Sequence, residues 1–178
     1  MSQLQTIAPL SLGSRTHTGV TYRIEHLRGG QVLSCEEVEN LMPAEGRNHM
    51  LGVTFKSVAP VASWFLGVFE NNSYPGDDLK ASTVVATLGE SVAYIPTTRP
   101  AFTPGAIAAG AVDNMAARAE FTFTEAKRIY GAFMASSPTR GSGTGVLISA
   151  ARFAAAKDVT AGDTLRVTAA FELVSASE

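Results

Sequence analysis

The stretch "AGDTLRVTAAFEL", residues 161–173, decides the fold class because its apolar and polar residues alternate regularly. Successive side chains of an extended strand point to opposite faces, so alternation of this kind is typical of a half-buried β-strand. Five apolar residues share one face of the segment: Leu165, Val167, Ala169, Phe171 and Leu173. The pattern predicts a strand that completes a sheet over an apolar core.

Other segments have strand patterns of two kinds. "GVTYRIEHL" alternates through Val20, Tyr22 and Ile24, and the glycines before "QVL" predict a turn and a hairpin. "VASWFLGVFE" and "KRIYGAFMAS" are apolar on both faces, which predicts central strands covered on each side. "AARAEFTF" is half-exposed, and its short connection to "KRIYGAFMAS" predicts an antiparallel hairpin between these two. "ESVAYI" is a further predicted strand, and "TTRPAFTPGAIAAG" is predicted to be extended chain at a sheet edge.

One helical segment is predicted near the N-terminus, over residues 35–55. "SCEEVENLM" places Ser34 as an N-cap, with Glu36 and Glu37 in the first turn, where acidic side chains oppose the positive end of the helix dipole. Pro43 interrupts the helix, and "AEGRNHMLGVTF" resumes it. "KASTVVATLG" fits a helix and a strand equally well.

The fold class that follows is mainly β: an antiparallel β-sandwich, Ig-like or jelly-roll-like, with a short helical segment. Residues 1–18 mix Ser, Thr, Gly and Pro with scattered aliphatic residues, which predicts an N-terminal arm that is ordered only against another surface. Residues 19–178 are predicted to form a single domain.

Composition limits the partners. The chain has 178 residues, 46% of them hydrophobic and 17% charged, with a formal net charge of -2. A near-neutral chain without a Lys or Arg cluster has little attraction for phosphates, so we expect no nucleic-acid partner. We also expect no membrane partner, since no apolar run reaches the length of a bilayer span. The N-terminus lacks the pattern of a secretory signal, which predicts that the chain is made in the cytoplasm.

The residue patterns predict no enzyme, no cofactor and no metal site. "GSGTGV", residues 141–146, leads into a strand pattern and not into a helix, so it predicts a mobile hairpin loop within "SPTRGSGTG" and no phosphate site. Asp77 and Asp78 are interpreted as solvated turn carboxylates. The histidines lack the spacing of metal ligands: His17, His26 and His49.

Several segments together resemble a family of small structural proteins of tailed bacteriophages, over about residues 36–173. The most specific parts are "IYGAF", the Gly-rich loop before "LISAARF", and "AGDTLRVT". The resemblance implies a virion component of the head region, most specifically a capsid decoration (cement) protein on the outside of the major capsid shell. Its implied partners are the major capsid protein or other virion proteins and copies of itself, and its implied location is the virion, after synthesis in the host bacterium.

A structural role needs broad contact surfaces and no chemistry. The aliphatic residues of the arm and two residues of the first predicted strand are candidate assembly contacts: Leu4, Ile7, Leu10, Leu12, Tyr22 and Ile24. The alternative is a head–tail junction protein or a tail-associated module for host recognition or carbohydrate binding. Carbohydrate binding needs exposed aromatic residues, for which Tyr74 and Phe102 are candidates, whereas Trp64 is interpreted as a core residue.

Overall fold

The computed structural model describes residues 18–173 and assigns nine β-strands and two α-helices to them. In chain order these are β1 (Thr18–Arg28), β2 (Gln31–Glu39), α1 (Ala44–Phe55), β3 (Trp64–Phe69), α2 (Ala81–Leu88), β4 (Ala101–Phe102), β5 (Ala111–Asp113), β6 (Ala119–Thr122), β7 (Lys127–Ala135), β8 (Leu147–Val159) and β9 (Thr164–Leu173). The protein is therefore mainly β, as its alternating patterns predict.

Strand β9, which contains most of the stretch quoted first, lies inside the first of two antiparallel sheets, sheet A. One edge of β9 pairs with β1, from Thr18 opposite Leu173 to Leu27 opposite Thr164. The other edge pairs with both β5 and β6, and β2 forms the far edge beyond β1. The predicted alternation is confirmed, since Leu165, Val167 and Ala169 are fully buried. Strand β9 therefore pairs with three other strands of sheet A.

The second sheet, sheet B, has the strand order β4-β3-β7-β8, and its two central strands are covered on both faces. Leu66, Val68 and Met134 point into the core between the sheets. On the opposite face, Phe69 and Phe133 pack with residues of α2. Two apolar faces were predicted for β3 and β7, and α2 is the reason that the second face is apolar. The stretch "TTRPAFTPGAIAAG" contains β4, which is an edge strand of sheet B, so the predicted edge position is confirmed.

Backbone hydrogen bonds close both sides of the sandwich. On one side, Leu41 and Ala150 exchange two bonds, of 2.9 and 3.0 Å, and connect the end of β2 to β8. On the other side, the segment 90–95 crosses between the sheets, and the Ile95 amide donates to the Thr122 carbonyl at 2.9 Å. Between the sheets, the Tyr22 hydroxyl meets Ser149 Oγ at 2.6 Å. Apolar packing and these links together hold the two sheets in one sandwich.

The helix predicted over residues 35–42 is wrong, because β2 occupies this part of the chain and α1 begins only at Ala44. The hairpin with β1 supplies backbone partners along β2, which local helical propensity does not outweigh. Glu36, predicted in a first helical turn, lies instead 3.3 Å from the Nζ atom of the buried Lys157. Ser34 is likewise a strand residue and not an N-cap.

The hairpin predicted between the neighbouring strands β6 and β7 is also wrong. Strand β6 pairs with β9 in sheet A, whereas β7 pairs with β3 and β8 in sheet B, so the short connection crosses the sandwich. The inward positions predicted for Ala119, Phe121 and Phe123 are nevertheless confirmed by their burial. "ESVAYI" forms isolated bridges at Glu90 and Tyr94 and no strand, and "KASTVVATLG" contains helix α2.

Candidate functional site

An apolar pocket opens between the two sheets at the end of the sandwich where β1 begins and β9 ends. It has a volume of about 360 Å³, and its lining is apolar except for Glu172. Six side chains from both sheets, helix α1 and the chain between β4 and β5 define it: Met50, Trp64, Phe102, Ile107, Phe171 and Leu173. A pocket of this size and character favours aliphatic or aromatic groups.

Aromatic side chains from both sheets form the walls of this apolar pocket. Trp64, the first residue of β3, lies opposite Phe102 of β4 in sheet B. The Phe102 ring meets the ring of Phe171 from sheet A edge to face, with centroids 5.9 Å apart. The His49 ring of α1 packs against Trp64 in the same way at 5.8 Å, so His49 is a packing residue. Such edge-to-face pairs fix ring orientation, which gives the pocket a defined shape.

The rim of the apolar pocket carries exposed aliphatic side chains. Ile107 is 80% exposed and Leu173 is 54% exposed. Ile107 precedes a tight turn in which Ala108 and Ala111 exchange backbone hydrogen bonds of 3.0 and 2.9 Å around Ala109 and Gly110. Both central residues of this turn have positive φ, as a type I′ hairpin turn requires. The turn therefore holds an isoleucine at the rim in contact with solvent.

The chain enters β1 beside this pocket, because Thr18 pairs with the rim residue Leu173. The candidate assembly contacts Leu4, Ile7, Leu10 and Leu12 belong to the residues before this point and lie outside the described residues. Tyr22 and Ile24 are fully buried between the sheets, so these two candidates are core residues and present no surface for assembly.

A second feature lies on the surface formed by β7, β8 and the loop after β3. There, arginine guanidinium groups lie over the rings of tyrosine residues. The Arg152 guanidinium lies 4.6 Å from the ring centroid of Tyr74 and 5.8 Å from that of Tyr130, and Arg128 also lies 5.8 Å from Tyr130. Tyr74 is 77% exposed. Phe102, the other aromatic candidate for carbohydrate contact, is buried in the apolar pocket, which removes it from that role.

Asp163 joins the turn between β8 and β9 to β1. Its oxygens accept hydrogen bonds from Arg28 Nε and Nη2 at 2.8 and 2.7 Å and from the Thr160 amide at 2.9 Å, and His26 Nε2 lies 2.9 Å away. These hydrogen bonds hold the pKa of the buried Asp163 carboxyl well below its usual range, and the bond to Arg28 has the largest effect. Both carboxylate oxygens accept hydrogen bonds from within the fold, so the role of Asp163 is to connect the turn to β1.

The Gly-rich loop between β7 and β8 is anchored, although the sequence predicts a mobile loop. The buried Arg99 makes a bidentate pair with Glu90 at 2.8 and 2.7 Å and donates to the carbonyls of Ser137 and Ser142 at 3.0 and 2.8 Å. Glu90 in turn accepts from the Gly141 amide at 2.9 Å. The loop continues into β8, so the prediction that it precedes a strand is confirmed.

The acidic turn residue Asp77 is also engaged. Its carboxylate forms a pair of hydrogen bonds, of 2.6 and 3.0 Å, with the Arg47 guanidinium of α1. The hydrogen bond to Arg47 lowers the pKa of this exposed carboxyl. Asp77 is therefore a solvent-exposed turn carboxylate, as interpreted from the sequence, with the additional role of an ion-pair partner for α1.

Sequence patterns alone did not indicate the apolar pocket. Its lining residues come from segments that are far apart in the chain, and only Phe171 and Leu173 belong to a pattern with clear periodicity. The one local signal is Ile107, an isolated aliphatic residue in a stretch punctuated by Pro and Gly, where turn residues favour exposure.

The chain matches no protein-family model, and none of the curated proteins matches it. Within residues 18–173, neither helix combines the length and the apolar character of a membrane span.

Proposed function

We propose that the protein is a structural subunit of a tailed-phage virion, and that it decorates the outside of the capsid shell through protein–protein contacts. The observation that carries this proposal is the apolar pocket with exposed aliphatic residues at its rim, beside the entry of the N-terminal segment into β1. Contiguous apolar surface is characteristic of contact sites in folded proteins. The resemblance of "IYGAF" and "AGDTLRVT" to phage structural proteins favours the same role.

The rest of the domain is held together by hydrogen bonds and ion pairs, which suits a rigid structural subunit. Both sides of the sandwich are closed by backbone hydrogen bonds, and Arg99 anchors the Gly-rich loop between β7 and β8. On the outer face of sheet A, Glu25 lies within 3.5 Å of guanidinium nitrogens of Arg23, Arg118 and Arg166. A pre-organised domain of this kind loses little conformational entropy when it binds, which favours repeated contacts on a lattice.

Exposed apolar residues outside the pocket offer further contact surface. Leu51 and Phe55 are one helical turn apart on α1, and both are exposed. Val58 follows the helix and is exposed as well. We infer that this helical stripe and the apolar pocket contact the major capsid protein, other virion proteins or neighbouring copies of the same chain.

The test is the copy number of the protein in purified virions, measured relative to the major capsid protein by quantitative mass spectrometry. A ratio close to that of the capsid protein supports decoration of the shell. A handful of copies per particle supports a head–tail junction or tail position instead, and absence from the particle contradicts a structural role.

A second candidate function is carbohydrate recognition on the tail, favoured by the exposed Tyr74 and its stacking on Arg152. An exposed aromatic ring with a neighbouring cation and the amide of Asn72 provides both stacking and polar contact. Glycan-array binding tests this candidate with Tyr74→Ala, and Phe55→Ala is the matched control because each of these rings is 77% exposed. Loss of glycan binding in the Tyr74 variant alone supports the candidate.

A further inference from the structure

We propose that the apolar pocket of the free subunit is occupied by the N-terminal segment of the same chain, through Leu4, Ile7, Leu10 and Leu12. This inference concerns the isolated protein and goes beyond the proposed function, since it assigns a ligand to the pocket before any assembly. Three observations favour this segment as the occupant of the pocket: the place where β1 begins, the length of the chain before Thr18, and the residue types of segments 1–17 and 174–178.

Position favours this occupant. Thr18, the first described residue, pairs with Leu173, and Leu173 and Glu172 both line the pocket. Two residues further along β1, Val20 and its cross-strand partner Phe171 lie on the inner side of sheet A. The described part of β1 therefore begins at the rim of the pocket.

Reach and composition favour it as well. Five residues lie between Leu12 and Thr18, and six extended residue steps span at most about 20 Å, which is enough to enter a pocket that begins beside Thr18. Residues 1–17 contain four aliphatic residues at short intervals and no acidic residue. Residues 174–178, "VSASE", also continue from the rim, but they contain one aliphatic residue and a terminal Glu.

The pocket has apolar surface that such side chains can cover. Trp64 is only partly buried within the described residues, and Ile107 and Leu173 are largely exposed. Insertion of two or three aliphatic side chains removes this surface from water, which drives binding. Attachment through Thr18 gives the segment a high effective concentration at the pocket, so an intrachain contact is favoured over the same contact between separate molecules.

Trp64 is the single tryptophan of the chain and lines the pocket, so its fluorescence reports occupancy directly. In the full chain, we expect Ile7→Asp/Leu10→Asp to shift the Trp64 emission to longer wavelength and to increase acrylamide quenching. The matched control is Thr6→Asp/Ser11→Asp, which adds the same charges to the same segment and leaves the aliphatic residues in place. Equal emission in the two double variants would overturn the proposal.

A variant on the pocket side tests the same contact independently. Ile107→Asp places a charge at the rim, whereas Ile95→Asp places one at another exposed isoleucine that does not line the pocket. We expect faster amide hydrogen exchange in residues 4–12 for the Ile107 variant only. Unchanged exchange in both variants contradicts the proposal.

Dilution distinguishes the intrachain contact from other occupants. An intrachain contact leaves Trp64 quenching independent of protein concentration, and the protein elutes as a monomer. Quenching that rises on dilution, together with a dimer at high concentration, would show that a second copy supplies the segment and would overturn the intrachain assignment. The copy number in virions is a separate measurement, so failure of one proposal is distinguishable from failure of the other.

Discussion

The phenyl ring of Phe133 lies directly over Gly67, its cross-strand partner in sheet B, so that a Cβ atom at position 67 would overlap the ring. The arrangement is reciprocal, because the ring of Phe69 covers Gly131 two pairs further along the same ladder. Each glycine leaves space for the ring of the opposite strand, and α2 closes over both rings. This pairing explains two glycines inside strands that otherwise contain large apolar residues.

Gly67→Ala is expected to destabilise the protein. The added methyl group displaces the Phe133 ring in a packed layer, and overpacking of this kind costs about 1–3 kcal/mol. Urea denaturation measures the change in the free energy of unfolding. Gly105→Ala is the control, since a Cβ at that position makes only an ordinary contact at 3.5 Å. Equal stability of the two variants would contradict the packing described for Gly67.

Phe133→Ala is expected to destabilise the protein further, by about 3–5 kcal/mol, because it empties the space of a large buried side chain. The ring is fully buried and also lies 5.0 Å from the Arg99 guanidinium, so its removal uncovers a buried charge as well. Chemical denaturation provides the measurement. A loss below about 1 kcal/mol would mean that the layer beneath α2 is not tightly packed.

Removal of Arg99 is expected to release the Gly-rich loop. Arg99→Met leaves the buried Glu90 carboxylate without its partner, and breaking a buried pair in this way typically costs about 3–5 kcal/mol. Faster trypsin cleavage at Arg140, which lies in the loop, reports the local effect. The double variant Arg99→Met/Glu90→Gln removes the unpaired charge, so we expect it to recover part of the stability. No recovery would indicate that the carbonyl contacts of Arg99 carry the effect.

Stability is expected to fall in acid partly through Asp163. The pKa of this carboxyl is lower in the folded protein than its ordinary value of 3.8, so its contribution is complete at neutral pH and is lost as the pH falls below that value. Asp163→Asn should flatten the dependence of the free energy of unfolding on pH between about 5 and 2. Asp77→Asn is the control for an exposed pair. An unchanged acid slope in the Asp163 variant would contradict this assignment.

Deletion of residues 1–17 is expected to leave the sandwich folded. Strand β1 starts at Thr18, and its pairing with β9 does not require earlier residues. Circular dichroism and the cooperativity of urea unfolding test whether the truncated domain still folds. Loss of folding in the truncated chain would contradict the separation of the segment from the domain.

The fold class was predictable because local patterns reflect burial. Alternation predicts β9 and β1, the two glycines after β1 predict the turn into a hairpin, and the apolar faces of β3 and β7 predict central strands. Strand β2 was not predictable from its own residues, since "SCEEVE" has good helix-start signals and forms a strand only because β1 supplies hydrogen-bond partners.

The candidate site was not predictable, because long-range pairing creates it. Trp64 and Phe171 line the same pocket although they are distant in the sequence, and the contact of Phe102 with Phe171 likewise joins residues that no local pattern connects. The prediction that β6 and β7 form a hairpin failed for the same reason. A short connection indicates that two strands are near each other, but not that they belong to one sheet.

The central position of β9 has a consequence for biosynthesis. Every strand that pairs with β9 precedes it in the chain, and its pairing with β1 joins segments at opposite ends of the described domain. While the ribosome is still translating the earlier strands, β1 keeps one edge unpaired, and such edges are sites of mistaken association between nascent chains. Sheet A can therefore close only after β9 has left the ribosomal exit tunnel, and the domain then folds at the slow rate that non-local pairing imposes.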